Sequence, residues 1–162
     1  MERLDGKRII VTGGTSGMGE GIVRAFPALG AKVVFWGRNE KAGAKIASES
    51  GATFVKAEVT DPVSVTEGMK KSVELLGGVD VFIHAAGIGP HCPAEKITLD
   101  AFKSVMETNT TGTFLTNEAV FPYMKETGGH IINFTSASAF IISPGQAHYA
   151  ASKGAVNSWS RT

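Results

Sequence analysis

Short apolar runs alternate with longer amphipathic stretches from one end of the chain to the other. Arg8–Thr12 predicts a strand and Met18–Leu29 a helix. Lys32–Trp36 predicts a second strand, followed by a helix from Glu40 to Glu49. Thr53–Ala57 reads as a short strand. Asp61 and Pro62 then open a helix running to Leu76, with Asp61 as N-cap and Pro62 at the first helical position. Val79–Ala85 predicts a strand, Leu99–Met124 an interrupted helical stretch, His130–Thr135 a fifth strand and His148–Arg161 a last helix. The strand segments are nearly all apolar rather than alternating, which suits a sheet covered on both faces. Strand-helix alternation implies parallel βαβ units with right-handed crossovers. No repeat, low-complexity tract or linker divides the chain, so one domain over residues 1–162 is expected.

Composition narrows the classes of function. With 43% apolar and 19% charged residues, the chain can bury a core and is not disordered. Sixteen basic residues against 15 acidic ones leave a net charge of +1, which provides no electrostatic footprint for a nucleic-acid partner. No apolar run approaches the ~20 residues of a membrane span. The charged N-terminus, MERLDGKR, does not read as a signal peptide. Cys92, the single cysteine, excludes an internal disulfide and cannot alone build a cysteine-based metal site. A cytoplasmic setting, no metal and no membrane partner are therefore expected.

Between the first strand and the first helix stands Thr12-Gly13-Gly14-Thr15-Ser16-Gly17-Met18-Gly19. Glycines there let the backbone turn tightly and let a pyrophosphate approach, while the helix N-terminus offers free N–H groups and a favourable dipole. The plain alternative is a glycine-rich turn with no ligand. The loop lacks the Gly-Lys-Ser/Thr ending of a nucleoside-triphosphate loop, which argues against a kinase or ATPase.

Near the other end, Tyr149 and Lys153 stand four residues apart on a predicted helix and so share a face. A phenol titrates near ~10 and is a poor acid-base group at neutral pH. A cation within roughly 4–6 Å favours the phenolate and equips a tyrosine to exchange a proton with a carbonyl or alcohol. Taken alone, Lys153 equally suits a solvated helix cation.

The TGxxxGxG loop, Asn109, Ser136 and Tyr149-x-x-x-Lys153 together resemble the short-chain dehydrogenase/reductase family, and the resemblance runs from Arg8 to Thr162. Asn109 precedes Ser136 by 27 residues and Ser136 precedes Tyr149 by 13, which also fits the family. The resemblance implies an α/β fold, a Rossmann-like doubly wound parallel sheet with helices on both faces. The family's last two strands are missing from this sequence, so the domain is expected to be incomplete at its C-terminus. The fifth strand is then an edge with unpaired backbone groups.

The implied reaction is hydride transfer between a nicotinamide cofactor and a carbonyl or alcohol. Tyr149 would be the general acid, and Lys153 would assist it and hold the nicotinamide ribose. Ser136 would orient the substrate oxygen. Asn109 would bend its helix and anchor a water linked to Lys153. Gly13, Thr15, Ser16, Gly17, Met18 and Gly19 would cradle the cofactor, joined by Arg38, Glu58, Val59, Ala85, Ala86, Gly87, Tyr149 and Lys153. An acid at the end of the second strand would bind ribose hydroxyls, whereas a basic group accommodates a 2′-phosphate. Gly37-Arg38-Asn39 stands there, so NADP(H) is expected in preference to NAD(H), which stays possible. The alternative is a solvated Arg38, with Asn39 capping the next helix.

Two positions depart from the family. Its Asp-Val pair is Glu58-Val59 here, and its Asn-Asn-Ala-Gly is His84-Ala85-Ala86-Gly87. His84 reads as a packed core histidine and His148 as structural. Segments 88–95 and 137–144 are expected to border the substrate; Phe140, Ile141 and Ile142 hint at an apolar one or at a subunit contact. The resemblance implies a homodimer or homotetramer packed through the helices near Asn109 and Tyr149. A truncated chain that binds nucleotide without turnover is the second reading. A scaffold protein would leave the catalytic set unexplained.

Overall fold

A computed structural model describes residues 3–161. Five strands, β1 (Arg8–Thr12), β2 (Lys32–Gly37), β3 (Thr53–Lys56), β4 (Val81–His84) and β5 (His130–Asn133), form one sheet in the order β3-β2-β1-β4-β5. Every pairing is parallel: Ile10 lies opposite Val34 and Phe82, Phe35 opposite Phe54, and Ile83 opposite Ile132. The helices are α1 (Gly17–Ala25), α2 (Glu40–Ser50), α3 (Pro62–Leu76), α4 (Leu99–Met106), α5 (Gly112–Met124) and α6 (Ala147–Trp159).

The apolar strands have the expected cause. Side chains alternate between faces along a strand, and both faces are covered at the centre of this sheet. Ile10, Val34, Trp36 and Phe82 pack with Val65, Met69, Val120 and Met124 of α3 and α5. Their neighbours Ile9, Val11, Val33, Phe35 and Ile83 pack with Val23 and Ile46 of α1 and α2. Fully burying an aromatic such as Phe35 or Phe82 contributes on the order of 2–3 kcal/mol. Trp36, also fully buried, satisfies its Nε1–H on Ser72 Oγ at 2.8 Å. At β5 the covering stops: Ile131 and Ile132 are exposed, as expected of an edge strand.

Boundaries shift for local reasons. The helix expected over Met18–Leu29 starts at Gly17 and ends at Ala25, and Pro27–Leu29 form a 3₁₀ turn. Pro27 has no N–H to continue the α-helical ladder. β1 keeps its expected bounds and β2 runs one residue longer, whereas β3, β4 and β5 end one or two residues early; Ala85, expected in a strand, already lies beyond β4 and runs toward the site. Asp61 caps α3 as expected, accepting from Val63 N–H at 3.0 Å, with Pro62 at its first position. The interruption expected within Leu99–Met124 is a π-helical turn at Glu107–Thr111, where the Gly112 N–H bonds Glu107 O. Among the described residues no helix is long and apolar enough to cross a membrane.

The chain runs outward from β1 to β3, then crosses back to place β4 on the other side of β1. The C-terminal ends of β1 and β4 are therefore a topological switch point, where connections diverge and a crevice opens. The opposite ends of the same two strands are tied together. Asp80 accepts from Arg8 N–H at 2.8 Å and from the Arg8 guanidinium at 3.0 and 2.7 Å. The Arg8 guanidinium holds the Asp80 carboxyl down to about 2. A carboxylate depressed in this way stabilises the fold above its unfolded pKa and loses that contribution as pH falls through the folded value. With its partial exposure discounted, wild-type protein is expected to lose about 1 kcal/mol of stability between roughly pH 7 and pH 3 through this pair. Urea unfolding at both pH values checks this, and Asp80→Asn should flatten the difference by that amount.

Candidate active site

The crevice begins with glycine. Gly13 follows β1 with φ +66°, and a methyl group built on it would lie 2.7 Å from the Ala86 backbone. The loop after β1 and the segment after β4 thus run in contact, and only a residue without a side chain fits between them. Gly19, in the first turn of α1, packs against the Gly13 carbonyl so closely that a methyl group would lie 2.4 Å from that oxygen. Thr12 Oγ1 accepts from Ala86 N–H at 3.2 Å, which fixes the same approach from β1.

Two clefts open from this point. A small one, about 110 Å³, is lined by Gly13, Thr15 and Ser16 on one side, and by Arg38, Glu58, Val59, Ala86 and Gly87 on the other. A larger one, about 350 Å³, brings together Met18, Ala85, Gly87, Ser136, Tyr149 and Lys153. Gly87 and Ile88 line both, so the clefts adjoin along the segment after β4. Gly17 and Gly19 line neither and act through the backbone of the turn; Gly17 takes φ +56°. Asn109 also lines neither.

Tyr149 and Lys153 share a face of α6, as expected. Lys153 Nζ lies 5.9 Å from the centroid of the Tyr149 ring. Lys153 is 5% exposed and donates to Phe134 O at 2.7 Å, so it is not a solvated surface cation. Burial lowers its pKa. Holding an ammonium in so dry a place opposes folding, and its position in the cleft sets it apart from a packing residue. Gly89 passes against the Tyr149 ring, and a methyl group built on Gly87 would lie 3.2 Å from Asn109 Oδ1 and 3.6 Å from Lys153 Nζ. Ser136 caps the 3₁₀ turn Ala137–Ala139, its Oγ accepting from Ser138 N–H at 3.1 Å. That bond leaves the Ser136 hydroxyl proton free to donate into the cleft.

Asn109 is fully buried at the centre of the π-helical turn. Its side chain exchanges two hydrogen bonds with the backbone of Ile88, both 2.8 Å, and donates a third to Ser152 Oγ at 2.9 Å. Thr113 Oγ1 donates to its carbonyl at 2.6 Å. The helical stretch is interrupted at this turn, where an interruption was expected. The Asn109 side chain braces the segment after β4 against α6. Ser152 extends the brace by donating to Tyr149 O at 2.7 Å. Sequence reasoning missed Ser152 and placed Ile88 only at the start of a segment expected to border the substrate, not as the backbone partner of Asn109. The signal for Ser152 was its place in Tyr149-Ala-Ala-Ser-Lys153; for Ile88, whose backbone is what matters, there was none.

His84 and His148 are both buried, as expected of packed side chains. His84 Nδ1 bonds Thr116 Oγ1 at 2.8 Å and lies 3.3 Å from Thr12 Oγ1, joining β4 to α5 and β1. Burial first, and then the Lys153 charge, push its pKa down to about 3, so it stays neutral. His148 is buried beside Tyr149 in sequence. Just after β2, Asn39 caps α2 by accepting from Ala42 N–H at 3.0 Å, while the Arg38 side chain is 74% exposed.

A family model described as short chain dehydrogenase matches residues 7–162. The chain is 34% identical to L-fucose dehydrogenase of Oryctolagus cuniculus over 156 residues, covering 95% of this chain and 55% of that protein. It is 38% identical to the 2-dehydro-3-deoxy-L-rhamnonate dehydrogenase (NAD(+)) of a Sphingomonas species over 157 residues, covering 95% of this chain and 63% of the relative. The chain thus spans between about half and two thirds of the length of these relatives. A crystal structure of a short-chain type dehydrogenase/reductase from Mycobacterium marinum superposes with a TM-score of 0.93 at 32% identity, over 98% of this chain and 68% of that one. With a Rossmann-like parallel sheet, a glycine turn at its switch point and Tyr149, Lys153 and Ser136 in one cleft, the chain belongs to the short-chain dehydrogenase/reductase family of oxidoreductases.

Proposed function

We propose that residues 1–162 form a dinucleotide-binding unit that takes NADP(H) across its two adjoining clefts and reduces a carbonyl, or oxidises an alcohol, beside Tyr149. The observation that carries this reading is the buried Lys153 ammonium in one cleft with Tyr149 and Ser136, continuous with the glycine turn through Gly87 and Ile88. The residues fit such a ligand: at Gly13 and Gly19 a single methyl group would close the turn that a pyrophosphate must approach. When bound, the nicotinamide supplies or accepts the hydride.

The chain's own groups manage the proton. Tyr149 donates to the substrate oxygen in reduction and accepts in oxidation. Lys153 holds positive charge beside that transfer, where low exposure strengthens its field. Ser136 donates its free hydroxyl proton to the substrate oxygen and orients it. Asn109 is a positioning residue, holding Ile88, which lines the cleft, against Ser152 of α6. Arg38 supports NADP(H) as the cofactor, since its planar fork suits a 2′-phosphate. The relative whose name specifies NAD(+) keeps NAD(H) as the competing cofactor. Phe114 and Trp159, partly exposed and stacked edge-on across α5 and α6, support a homo-oligomer joined through these helices.

Loss of NADPH absorbance over a panel of aldehydes and ketones tests the reading. Turnover with at least one class, above the rate without enzyme, is the expected result. A second reading, nucleotide binding without turnover, draws on the exposed faces of Ile131, Ile132 and Phe140–Ile142. Thermal stabilisation by NADPH with no turnover on any substrate would favour it. Absence of stabilisation would count against both.

A further inference from the structure

We propose that Glu58 sets the balance between NADP(H) and NAD(H) by holding a negative charge beside Arg38, where a 2′-phosphate would have to sit. This rests on the dinucleotide reading above. It goes beyond that reading by assigning an opposing residue that Arg38 alone does not reveal.

β2 and β3 are neighbours, with Gly37 opposite Lys56, so the residues just beyond them emerge side by side at the C-terminal end of the sheet. Arg38 follows β2, and Glu58 stands two residues past the end of β3. Glu58 is well held. Its N–H donates to Ser64 Oγ at 2.9 Å, and its Oε1 accepts from Thr60 N–H at 3.2 Å. Its other oxygen, Oε2, lies 3.5 Å from Arg38 Nη1. Arg38 and Glu58 line the same small cleft as Gly37 and Thr15.

The contact is single and long. At 3.5 Å through one nitrogen it is at the loose end of a charge-assisted bond, and the guanidinium keeps its other donors for an incoming anion. A phosphomonoester carries roughly −1.5 to −2 at pH 7. On Arg38 it would share the guanidinium with a carboxylate anchored by Thr60, and the two anions would repel. A 2′-hydroxyl meets no such repulsion. Glu58 therefore lowers the preference for NADP(H) that Arg38 creates. An aspartate, one methylene shorter, would draw the charge back from Arg38.

Calorimetric dissociation constants for NADPH and NADH with wild-type protein, Arg38→Ala, Glu58→Gln and Glu58→Asp test this. Glu58→Gln is expected to raise the NADPH-to-NADH affinity ratio about tenfold, less at high salt, with NADH changed little. Glutamine keeps an oxygen for Thr60 N–H, so the loop should persist. Glu58→Asp should raise the ratio by a smaller factor and carries the test if the glutamine variant does not fold. An unchanged ratio overturns the proposal, as does equal weakening of both nucleotides, which would assign Glu58 to the shared adenosine. Should Arg38→Ala leave the ratio at the wild-type value, the NADP(H) reading fails instead. Wild-type protein that binds neither nucleotide overturns both.

Discussion

Tyr149→Phe is expected to lower kcat by about 10²–10⁴-fold while leaving the NADPH dissociation constant within about twofold of wild type. The substitution removes one oxygen and keeps the ring that Gly89 packs against. Backbone support for the residue is untouched, because Ser152 donates to the Tyr149 carbonyl rather than to its hydroxyl. The glycine turn and Arg38 line the other cleft. Stopped turnover with intact binding is therefore the signature of a proton donor. Single-turnover kinetics and calorimetry on the same preparation check it, and retained turnover would sink the mechanism.

Lys153→Met separates function from stability. Turnover is expected to fall about 10²–10³-fold, because proton transfer loses its neighbouring cation. NADPH binding should weaken as well, unlike in Tyr149→Phe, because the ammonium lies in the cleft itself. Stability should not fall in proportion. Methionine fills similar space without a charge, and the wild-type ammonium is desolvated by burial, which lowers its pKa from 10.5. The native state therefore releases this proton more readily than the unfolded chain, which binds more protons in the window below 10.5. Wild-type stability through this group is lowest where both states are protonated and rises with pH through that window. Lys153→Met should lack this rise. Urea unfolding at about pH 7 and about pH 10, beside the kinetics, reads both effects. A variant destabilised equally at both pH values, with its rise intact, would assign Lys153 to packing.

Much of the site was legible because its parts are local. Tyr149 and Lys153 meet through helical spacing alone. The glycine turn is visible as a strand, a glycine cluster and a helix in succession. Asp61 and Asn39 were readable as caps because each serves N–H groups within the next turn. The Arg8–Asp80 pair was not legible: it links residues 72 positions apart, and nothing near either one marks the other. Asn109 was legible as a motif position but not as a brace. Its partners, Ile88 and Ser152, come from two other segments.

Glu58 shows the same divide. Its sequence neighbours identify it only as a longer acid near the end of β3. The parallel pairing of β2 and β3 sets its carboxylate against Arg38.

By itself, the sequence determined the strand-helix order, the parallel covered sheet, the glycine turn and the Tyr149–Lys153 face. Each follows from periodicity or spacing within a few residues, where backbone geometry leaves little choice. The tertiary structure decided the rest. It buried the Lys153 ammonium, turned Asn109 inward to join two segments, and set a carboxylate beside Arg38. Those outcomes depend on which strands pair and which loops emerge together. Desolvation and charge proximity arise only once the chain has folded.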